Sequence, residues 1–344
     1  MSDSYHTLET IAELAGVSRS TVSRVINNEK SVRSEVRERV LSVIERERFY
    51  PNASARSLAS RRTNCIGVLS WGADPEFLSD PIYYEILLGI QKEALKYDLD
   101  LILFTSQTGD EKRKDLCYKI LGQRNVDGLI IMGSDFFLDY LRLFHQRNLP
   151  VVLIGKRNTG NLKIPYVCTD YEMGLYKATR YLLDLGRTEI VLLQSSIDLH
   201  FQEDKLKGYE KALQERKSTI KGEYIINVES TDDSYLQDLI QKRIRKLPAN
   251  GMICANDLLA QRMIKILSAS GISVPGEISV IGFNDASTAR DFNPPLTTVR
   301  QSKVELGINA VYMLRKLTGG DKVENVILPA ELIIRDSTAR LRKG

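Results

Sequence analysis

The sequence predicts a small all-α unit followed by an α/β core of two doubly wound parallel-sheet lobes. Up to about residue 50, apolar residues recur at helical spacing and no strand pattern is present. From residue 64, continuous apolar segments of strand length alternate with helical stretches, as in parallel sheets that are covered on both faces. These segments form two successive series, so we expect two lobes, with ligands binding beyond the carboxyl ends of the strands.

Length and composition exclude several classes of protein. The chain has 344 residues, of which 43 % are hydrophobic and 27 % are charged, so low-complexity and wholly disordered chains are excluded and two or three domains are expected. No apolar run approaches the ~20 residues of a membrane span, and the N-terminus lacks the layout of a secretion signal. We therefore expect a cytoplasmic protein without membrane contact.

Cysteine and histidine usage gives no sign of a metal site or of covalent catalysis. The cysteines lie far apart without a CxxC pair, and three of them sit in apolar segments, which predicts buried thiols. The histidines have no metal-binding spacing. We therefore expect no catalytic residue, no metal and no other cofactor. The cysteines are Cys65, Cys117, Cys168 and Cys254, and the histidines are His6, His145 and His200.

Three short helices are expected within the first fifty residues. Thr7 can cap the first helix and Gly16 can end it. Ser18 can cap a second helix over residues 19–27, and a third begins near Ser34. The expected buried stripes are Leu8, Ile11, Ala12 and Ala15 in the first helix, Thr21, Val22, Val25 and Ile26 in the second, and Val36, Val40, Val43 and Ile44 in the third.

The outward face of the second helix has no acidic residue and carries side chains that donate to phosphates and base edges. Two short helices joined by a glycine-containing turn and backed by a third are typical of a helix-turn-helix unit. Residues 1–62 hold eleven Lys and Arg against eight Asp and Glu, so they carry three of the chain's four excess positive charges. A three-helix domain with a polar surface is the alternative. The outward residues are Arg19, Ser20, Ser23, Arg24 and Asn27.

The rest of the chain predicts about ten buried strands separated by helices. The first series of strands is NCIGVLS, LDLILFT, VDGLIIMG and LPVVLIG, and the second is IPYVCTD, TEIVLLQ, YIINV, GMICAND and ISVIGFN. The predicted helices are 82–97, 112–124, 136–147, 172–185, 203–216, 233–247 and 258–270.

Several stretches carry a family resemblance: LETIAELAGVSRSTVSRVINN, RFYPNASARSLASRRTNCIGVL, VDGLIIMG, ICANDLLA, VIGFNDA and PPLTTVRQSKVELG. Over nearly its whole length the chain resembles the lactose/galactose repressor (LacI/GalR) family. The resemblance implies a helix-turn-helix DNA-binding domain (1–50), a hinge helix and linker (51–62), and a periplasmic-binding-protein-like domain for effector binding and dimerisation (63–344). The expected N-lobe covers about 63–162 and 295–323, the C-lobe about 163–294 and 324–344, and the chain would cross between them near 161–166, 291–297 and 322–327.

Members of this family bind palindromic double-stranded DNA operators as dimers or tetramers, with the second helix in the major groove. By position, Arg19 and Ser20 would read base edges, and Arg24 would reach a base or a phosphate. The residues that would hold the helix on phosphates are Thr21, Ser23 and Asn27. The tail STARLRKG is short and carries no heptads, so a homodimer is favoured over a tetramer.

The stretch Asn52–Ser60 matches the hinge helix of the family, which enters the minor groove when two subunits meet over the operator. Ala55 would permit close approach, and Leu58 would wedge between central base pairs, where an aliphatic side chain finds apolar surroundings. So short a segment is not helical alone in water, and a plain linker is the alternative. The expected minor-groove residues are Asn52, Ala55, Arg56, Ser57 and Leu58.

The resemblance also places a small effector in the cleft between the lobes. Asp257 matches the family's effector-binding aspartate, with capping of the following helix, together with Asn256, as the alternative. Lys205 stands where the family usually has an arginine, and Gly155 where many relatives carry aspartate, so the ligands of other members do not carry over directly. The expected effector residues are Trp71, Phe77, Tyr83, Lys156, Arg157, Asp170, Lys205, Asp257, Asn284 and Asp285, with core packing as the alternative for the three aromatic ones.

The implied function is a repressor of carbohydrate-utilisation genes whose operator affinity is controlled allosterically by a sugar or sugar phosphate. An α/β enzyme is an alternative, but no GxGxxG, P-loop, GxSxG or catalytic carboxylate pair is recognisable. A transport-type binding protein conflicts with the missing signal peptide and the helical N-terminus. A regulator whose protein corepressor docks on the N-lobe stays open.

Overall fold

The computed structural model describes residues 7–26, 29, 31–49, 62–71, 81–105, 110–133, 138–195, 199–218 and 221–341. The chain divides into two compact units, Met1–Asn64 and Cys65–Gly344. In the described ranges the first unit is helical, and the second combines twelve strands with eight α-helices.

Three helices lie in the described ranges of the first unit, as predicted. Thr7 caps the first of them by accepting the Thr10 N–H at 3.3 Å, and Gly16 ends it with a left-handed backbone at φ 63°. The apolar stripes meet in one core, in which Ile11 and Val22 have no exposed surface. The helices are α1 (Leu8–Ala15), α2 (Arg19–Ile26) and α3 (Ser34–Arg46).

The second unit alternates strands and helices as the sequence predicts. The predicted helix 233–247 is split, because a 3₁₀ turn at Ile244–Lys246 follows the α-helix. The helices are α4 (Pro81–Leu95), α5 (Asp110–Gln123), α6 (Leu138–Gln146), α7 (Tyr171–Asp184), α8 (Leu199–Glu215), α9 (Asp233–Lys242), α10 (Asp257–Ala269) and α11 (Lys303–Thr318). The strands are β1 (Cys65–Trp71), β2 (Asp100–Thr105), β3 (Gly128–Gly133), β4 (Val151–Ile154), β5 (Tyr166–Thr169), β6 (Ile190–Ser195), β7 (Ile225–Val228), β8 (Gly251–Cys254), β9 (Ser279–Asn284), β10 (Thr297–Arg300), β11 (Val326–Leu328) and β12 (Glu331–Ile333).

Each lobe is built on a six-stranded sheet. The N-lobe sheet has the order β11-β5-β4-β3-β1-β2 and carries α4, α5, α6 and α11; the C-lobe sheet has the order β12-β10-β9-β8-β6-β7 and carries α7 to α10. Neighbouring strands run parallel, apart from the antiparallel pair of β10 and β12. The strand order reverses between β1 and β3 and between β6 and β8. Ligands bind beyond the carboxyl ends of strands at such reversals, so the cleft between the lobes is the expected site.

The positions predicted for the chain's crossings between the lobes are wrong, because each lies about one strand too early in the sequence. We expected them near 161–166, 291–297 and 322–327, but β5 pairs with β4, β10 with β9, and β11 with β5. The chain therefore crosses after each of these strands, so β5 and β11 belong to the N-lobe and β10 to the C-lobe. Apolar patterning identifies a buried strand but not the neighbour to which its backbone is hydrogen-bonded.

Helix α11 is absent from the predicted helices and covers one face of the N-lobe sheet. It packs closely on α4, because a Cβ at Gly89 would lie 2.0 Å from the Val304 carbonyl oxygen and one at Gly307 would lie 2.2 Å from that of Ile86. Small residues at a helix crossing allow the two backbones to approach in this way, so both positions require glycine.

Arg187 has no exposed surface, and its guanidinium links the C-terminal segment to the loops that precede β8 and β9. It donates only to backbone carbonyls, at distances of 2.7 to 3.2 Å. Five partly buried carbonyl acceptors thus share one donor group. The acceptors belong to Asn250, Pro275, Gly276, Glu277 and Ala339.

The four cysteines are free and buried, as predicted. Burial raises the pKa of Cys65 and Cys168 to about 11 and that of Cys117 to about 12, so these thiols are unreactive at neutral pH. Within the described ranges, no group of three His, Cys, Asp or Glu side chains is placed to hold a metal ion. No helix in the described part of the chain is long and apolar enough to cross a bilayer.

Candidate operator-binding helix and effector cleft

Helix α2 packs its apolar face into the core of the first unit and leaves a basic, polar face exposed. The side chains of Arg19 and Arg24 are 67 % and 57 % exposed. Ser20 is exposed, while Thr21 and Ser23 are half-buried. No carboxylate lies on the helix. Such a face can donate to phosphates and base edges, which is what the sequence predicts for these residues.

Ser18 caps α2, as predicted. Its Oγ accepts the Thr21 N–H at 3.2 Å and is hydrogen-bonded to the hydroxyls of Ser20 (2.8 Å) and Thr21 (2.9 Å). The hydroxyls of Ser20 and Thr21 therefore support the start of α2.

Both arginines of α2 face carboxylates from outside the helix. Arg19 Nε lies 3.0 Å from Glu9 Oε1 on α1, and Arg24 Nε lies 3.9 Å from Glu29 Oε2. These pairs are exposed, and exposed ion pairs contribute little to stability. A DNA phosphate can therefore replace either carboxylate at small cost.

Several predicted site residues lie outside the described residues. They are Asn27 on the second helix, the hinge residues Asn52, Ala55, Arg56, Ser57 and Leu58, and Phe77. The backbone of Trp71 ends β1 at the cleft edge of the N-lobe sheet.

Asp257 lies at the start of α10 but does not cap it. The cap is Asn256, whose Oδ1 accepts the Leu259 N–H at 2.8 Å. The Asp257 carboxylate is 2 % exposed and accepts the Thr298 hydroxyl at 2.5 Å and the Ala286 N–H at 2.6 Å. Burial raises the pKa of Asp257 to about 7, against the lowering effect of these two hydrogen bonds. This carboxyl ties the start of α10 to β10 and to the segment that follows β9.

The neighbours Asn284 and Asp285 follow β9 with left-handed backbones, at φ 116° and 50°. Such a conformation is costly for residues other than glycine and is typical of functional sites. Asp285 lies 2.7 Å from both Arg300 and Arg335. Burial alone would raise the pKa of Asp285, but hydrogen bonds from the two arginines outweigh it and hold the pKa below the ordinary value.

A buried polar chain joins the lobes next to Asn284. Gln301 Nε2 donates to Asn284 Oδ1 at 2.6 Å, and Gln301 Oε1 accepts the Thr169 hydroxyl at 2.7 Å. Lys303, at the start of α11, donates to Glu85 at 2.7 Å and to the Asp285 carbonyl at 2.9 Å. These bonds span the crossings after β5 and β10, so any movement of the lobes must rearrange or rotate about them.

Lys205 lies on α8 with 6 % of its surface exposed and faces aromatic rings in the cleft. Its Nζ donates to the Ala255 carbonyl at 3.0 Å and lies 4.4 Å from the ring centre of Phe283 and 5.6 Å from that of Tyr171. The Tyr171 ring also packs against that of Phe201 at an interplanar angle of 30°, with centroids 4.6 Å apart. A buried ammonium and three rings, of which Phe283 has no exposed surface, thus form an aromatic wall beside the end of β8.

The remaining predicted effector residues are already engaged in the free protein. Asp170 caps α7 by accepting the Met173 N–H at 2.9 Å. Lys156 lies 3.3 Å from Asp204, and Tyr83 packs against the N-lobe core. Arg157 is 9 % exposed and lies over the Phe201 ring at 5.9 Å. The effector role of these residues stays a prediction.

Four residues of the cleft are missing from the predicted set: Tyr171, Phe201, Phe283 and Gln301. Tyr171 and Phe283 are sequence neighbours of the predicted Asp170 and Asn284, so their position at strand ends could have indicated them. Phe201 enters the cleft from the start of α8, and Gln301 follows β10. No spacing in the sequence indicates that these two reach the cleft.

A helix-turn-helix unit on the same chain as a two-lobed ligand-binding fold defines a DNA-binding regulator that responds to a ligand. Comparisons with known proteins agree with this class. Residues 7–52 match the family described as bacterial regulatory proteins, lacI family, and residues 179–338 match the periplasmic binding protein-like domain.

The relatives extend over the whole chain. The HTH-type transcriptional repressor PurR of Actinobacillus pleuropneumoniae serotype 3 is 30 % identical over 98 % of this chain and 99 % of its own. The HTH-type transcriptional regulator RegA of Clostridium saccharobutylicum is 33 % identical over 96 % and 98 %. The structure of the Lac repressor dimer bound to operator and the anti-inducer ONPF matches with a TM-score of 0.82, 27 % identity and coverage of 98 % and 100 %. A transcriptional regulator CelR–cellobiose complex matches with a TM-score of 0.73, 25 % identity and coverage of 96 % and 99 %.

The chain belongs to the lacI family of bacterial regulatory proteins. It is a DNA-binding transcriptional repressor with an effector-binding domain, and it is not an enzyme. The predicted fold and family are thereby confirmed.

Proposed function

We propose that two copies of this chain bind a palindromic operator in the cytoplasm, each with α2 in the major groove and a hinge segment in the minor groove. The observation that supports the proposal is the exposed, carboxylate-free face of α2, on which Arg19 and Arg24 point away from the core. Arginine suits guanine because it can contact O6 and N7 together.

A mobility-shift titration on a palindromic duplex tests this role. Arg24→Ala should weaken binding to the palindrome by at least roughly 30-fold, since each of the two copies loses a base contact that contributes ~1–3 kcal/mol. Arg39→Ala is the matched control, because Arg39 is an exposed arginine on α3 outside the proposed contact face. Equal affinities for Arg24→Ala, Arg19→Ala and Arg39→Ala would contradict the proposal.

For the effector we propose a sugar that carries a phosphate or another anionic group and binds beside Lys205. The genes that the protein represses are then carbohydrate-utilisation genes. The carboxylates of the cleft already accept hydrogen bonds from protein donors, as Asp257 does from Thr298 and Ala286. The buried cation beside the aromatic rings is Lys205, which lies over Phe283 and donates to the Ala255 carbonyl. Cations beside ring faces suit a ligand with a ring and a negative charge. The cellobiose complex of CelR supports a carbohydrate.

Thermal-shift measurements with glucose, cellobiose, glucose 6-phosphate and inorganic phosphate separate these ligand classes. A true effector at 100 times its Kd stabilises the folded protein by ~2.7 kcal/mol. We expect the phosphorylated sugar to raise the unfolding midpoint and Lys205→Met to reduce that rise, whereas Lys207→Met, two residues along the same helix, should retain it. Stabilisation by the neutral sugars only would contradict the anionic class.

A further inference from the structure

One side of the cleft is closed by protein groups from both lobes. The end of β4 in the N-lobe provides Gly155, Lys156 and Arg157, and the first turns of α8 in the C-lobe provide Phe201 and Asp204. Lys156 Nζ lies 3.3 Å from Asp204 Oδ2, and the Arg157 guanidinium lies 5.9 Å from the Phe201 ring centre. An ion pair and a cation–π contact therefore join the two lobes directly.

The Phe201 ring occupies the place that a side chain at residue 155 would fill. A Cβ built on Gly155 would lie 2.7 Å from Phe201 Cζ and 3.0 Å from Cε1. Gly155 also has φ +99°, a backbone conformation that favours glycine. Tyr171 packs against the same ring. The ring is thus fixed between a side chain of its own lobe and a bare backbone of the other lobe.

We propose that Phe201 and Asp204 form an interlobe latch with Gly155, Lys156 and Arg157, and that this latch stabilises the arrangement in which one side of the cleft is closed. Lys156 and Arg157 then hold the lobes together instead of contacting the effector. The effector is confined to the side of the cleft formed by Lys205, Phe283 and the end of β8. This last consequence rests on the proposed effector cleft, whereas the latch itself requires no ligand.

The latch has a consequence for regulation. A ligand shifts the equilibrium between open and closed lobes only as far as its difference in affinity for the two states allows. The fraction of protein that is already closed before binding sets how large this difference must be. Contacts between the lobes raise the closed population of the free protein. Removing the latch should therefore change the response to an effector even though no contact to that effector is lost.

A double-variant cycle on the full chain tests the contact between Phe201 and Gly155. Gly155→Ala introduces both a clash with the ring and backbone strain, while in the Phe201→Ala background only the strain remains. We expect Gly155→Ala to lower the unfolding midpoint by at least about 2 °C more in the wild-type chain than in Phe201→Ala, because a loss of ~1 kcal/mol shifts the midpoint of a protein this large by a few degrees. Equal losses in the two backgrounds would overturn the latch.

The opening of the cleft is followed separately by acrylamide quenching of Trp71, the only tryptophan, which ends β1 at the cleft edge. Asp204 supplies a matched pair of variants, because its carboxylate lies 3.3 Å from Lys156 across the cleft and 3.5 Å from Lys207 on its own helix. Phe201→Ala and Lys156→Ala should increase quenching in the ligand-free protein, and Lys207→Ala should not. Identical quenching in all three would overturn the proposal, while the effector shift assigned to Lys205 would be unaffected.

Discussion

The substitution Asp257→Asn should make the protein more stable above neutral pH. The wild-type carboxyl is 2 % exposed and bonded to Thr298 and Ala286. An asparagine of the same shape can keep both bonds: its Oδ1 accepts the Ala286 N–H, and its Nδ2 donates to the Thr298 hydroxyl oxygen, which rotates to accept. The variant therefore removes the titrating proton while both contacts of the side chain are kept.

The direction of the pH effect follows from the raised pKa. Asp257 has a pKa of about 7 in the folded protein against 3.8 ordinarily, so the native state binds its proton more tightly than the unfolded state does. The contribution of this group to stability is complete below pH 3.8 and is lost as the pH rises through about 7. Each tenfold change in proton affinity corresponds to ~1.4 kcal/mol, so the loss by pH 8 is on the order of 4 kcal/mol at most.

Urea unfolding of both proteins at pH 4.5 and pH 8 measures the effect. We expect the difference in free energy of unfolding between Asp257→Asn and wild type to move in favour of the variant as the pH rises. Taking the difference cancels the titration of other groups. A difference that stays constant between the two pH values would show that the native carboxyl is ionised throughout, and the reasoning from burial would be refuted.

Three further perturbations follow from individual contacts. Glu9→Gln should strengthen operator binding at low salt by about two- to fivefold, because it releases Arg19, and mobility shifts at higher salt should lose the gain. Arg187→Met should lower the free energy of unfolding by about 2 kcal/mol, as judged by urea unfolding, since five partly buried carbonyls lose their shared donor. Gly208→Ala should unfold at a lower temperature than wild type in calorimetry, because its Cβ would lie 2.0 Å from the Glu172 carbonyl oxygen. Gly222→Ala is the control and should not change the unfolding midpoint, because the space around Gly222 is open. Equal midpoints for the two variants would contradict the packing of α7 on α8.

Local patterns in the sequence determined most elements of both units, though not α11, and the DNA-binding face. Helical spacing and the caps at Thr7 and Ser18 place α1 and α2, because these are interactions between residues a few positions apart. The face of α2 follows from the same periodicity, since Val22 and Val25 must be buried and the arginines must then point outward. The buried strands are likewise visible as short apolar runs.

Only the tertiary structure decided which lobe each crossing strand joins and what the cleft residues contact. The pairing of β5 with β4 and the placement of Phe201 over Gly155 depend on groups that are distant in sequence. Asp257 looked like a ligand-facing carboxylate at a strand end, but it is hydrogen-bonded to Thr298 and Ala286, which are 41 and 29 positions away in the sequence. The spacing of residues along the sequence does not indicate such partners, because burial and hydrogen bonding at a site depend on which distant segments of the chain the fold brings together.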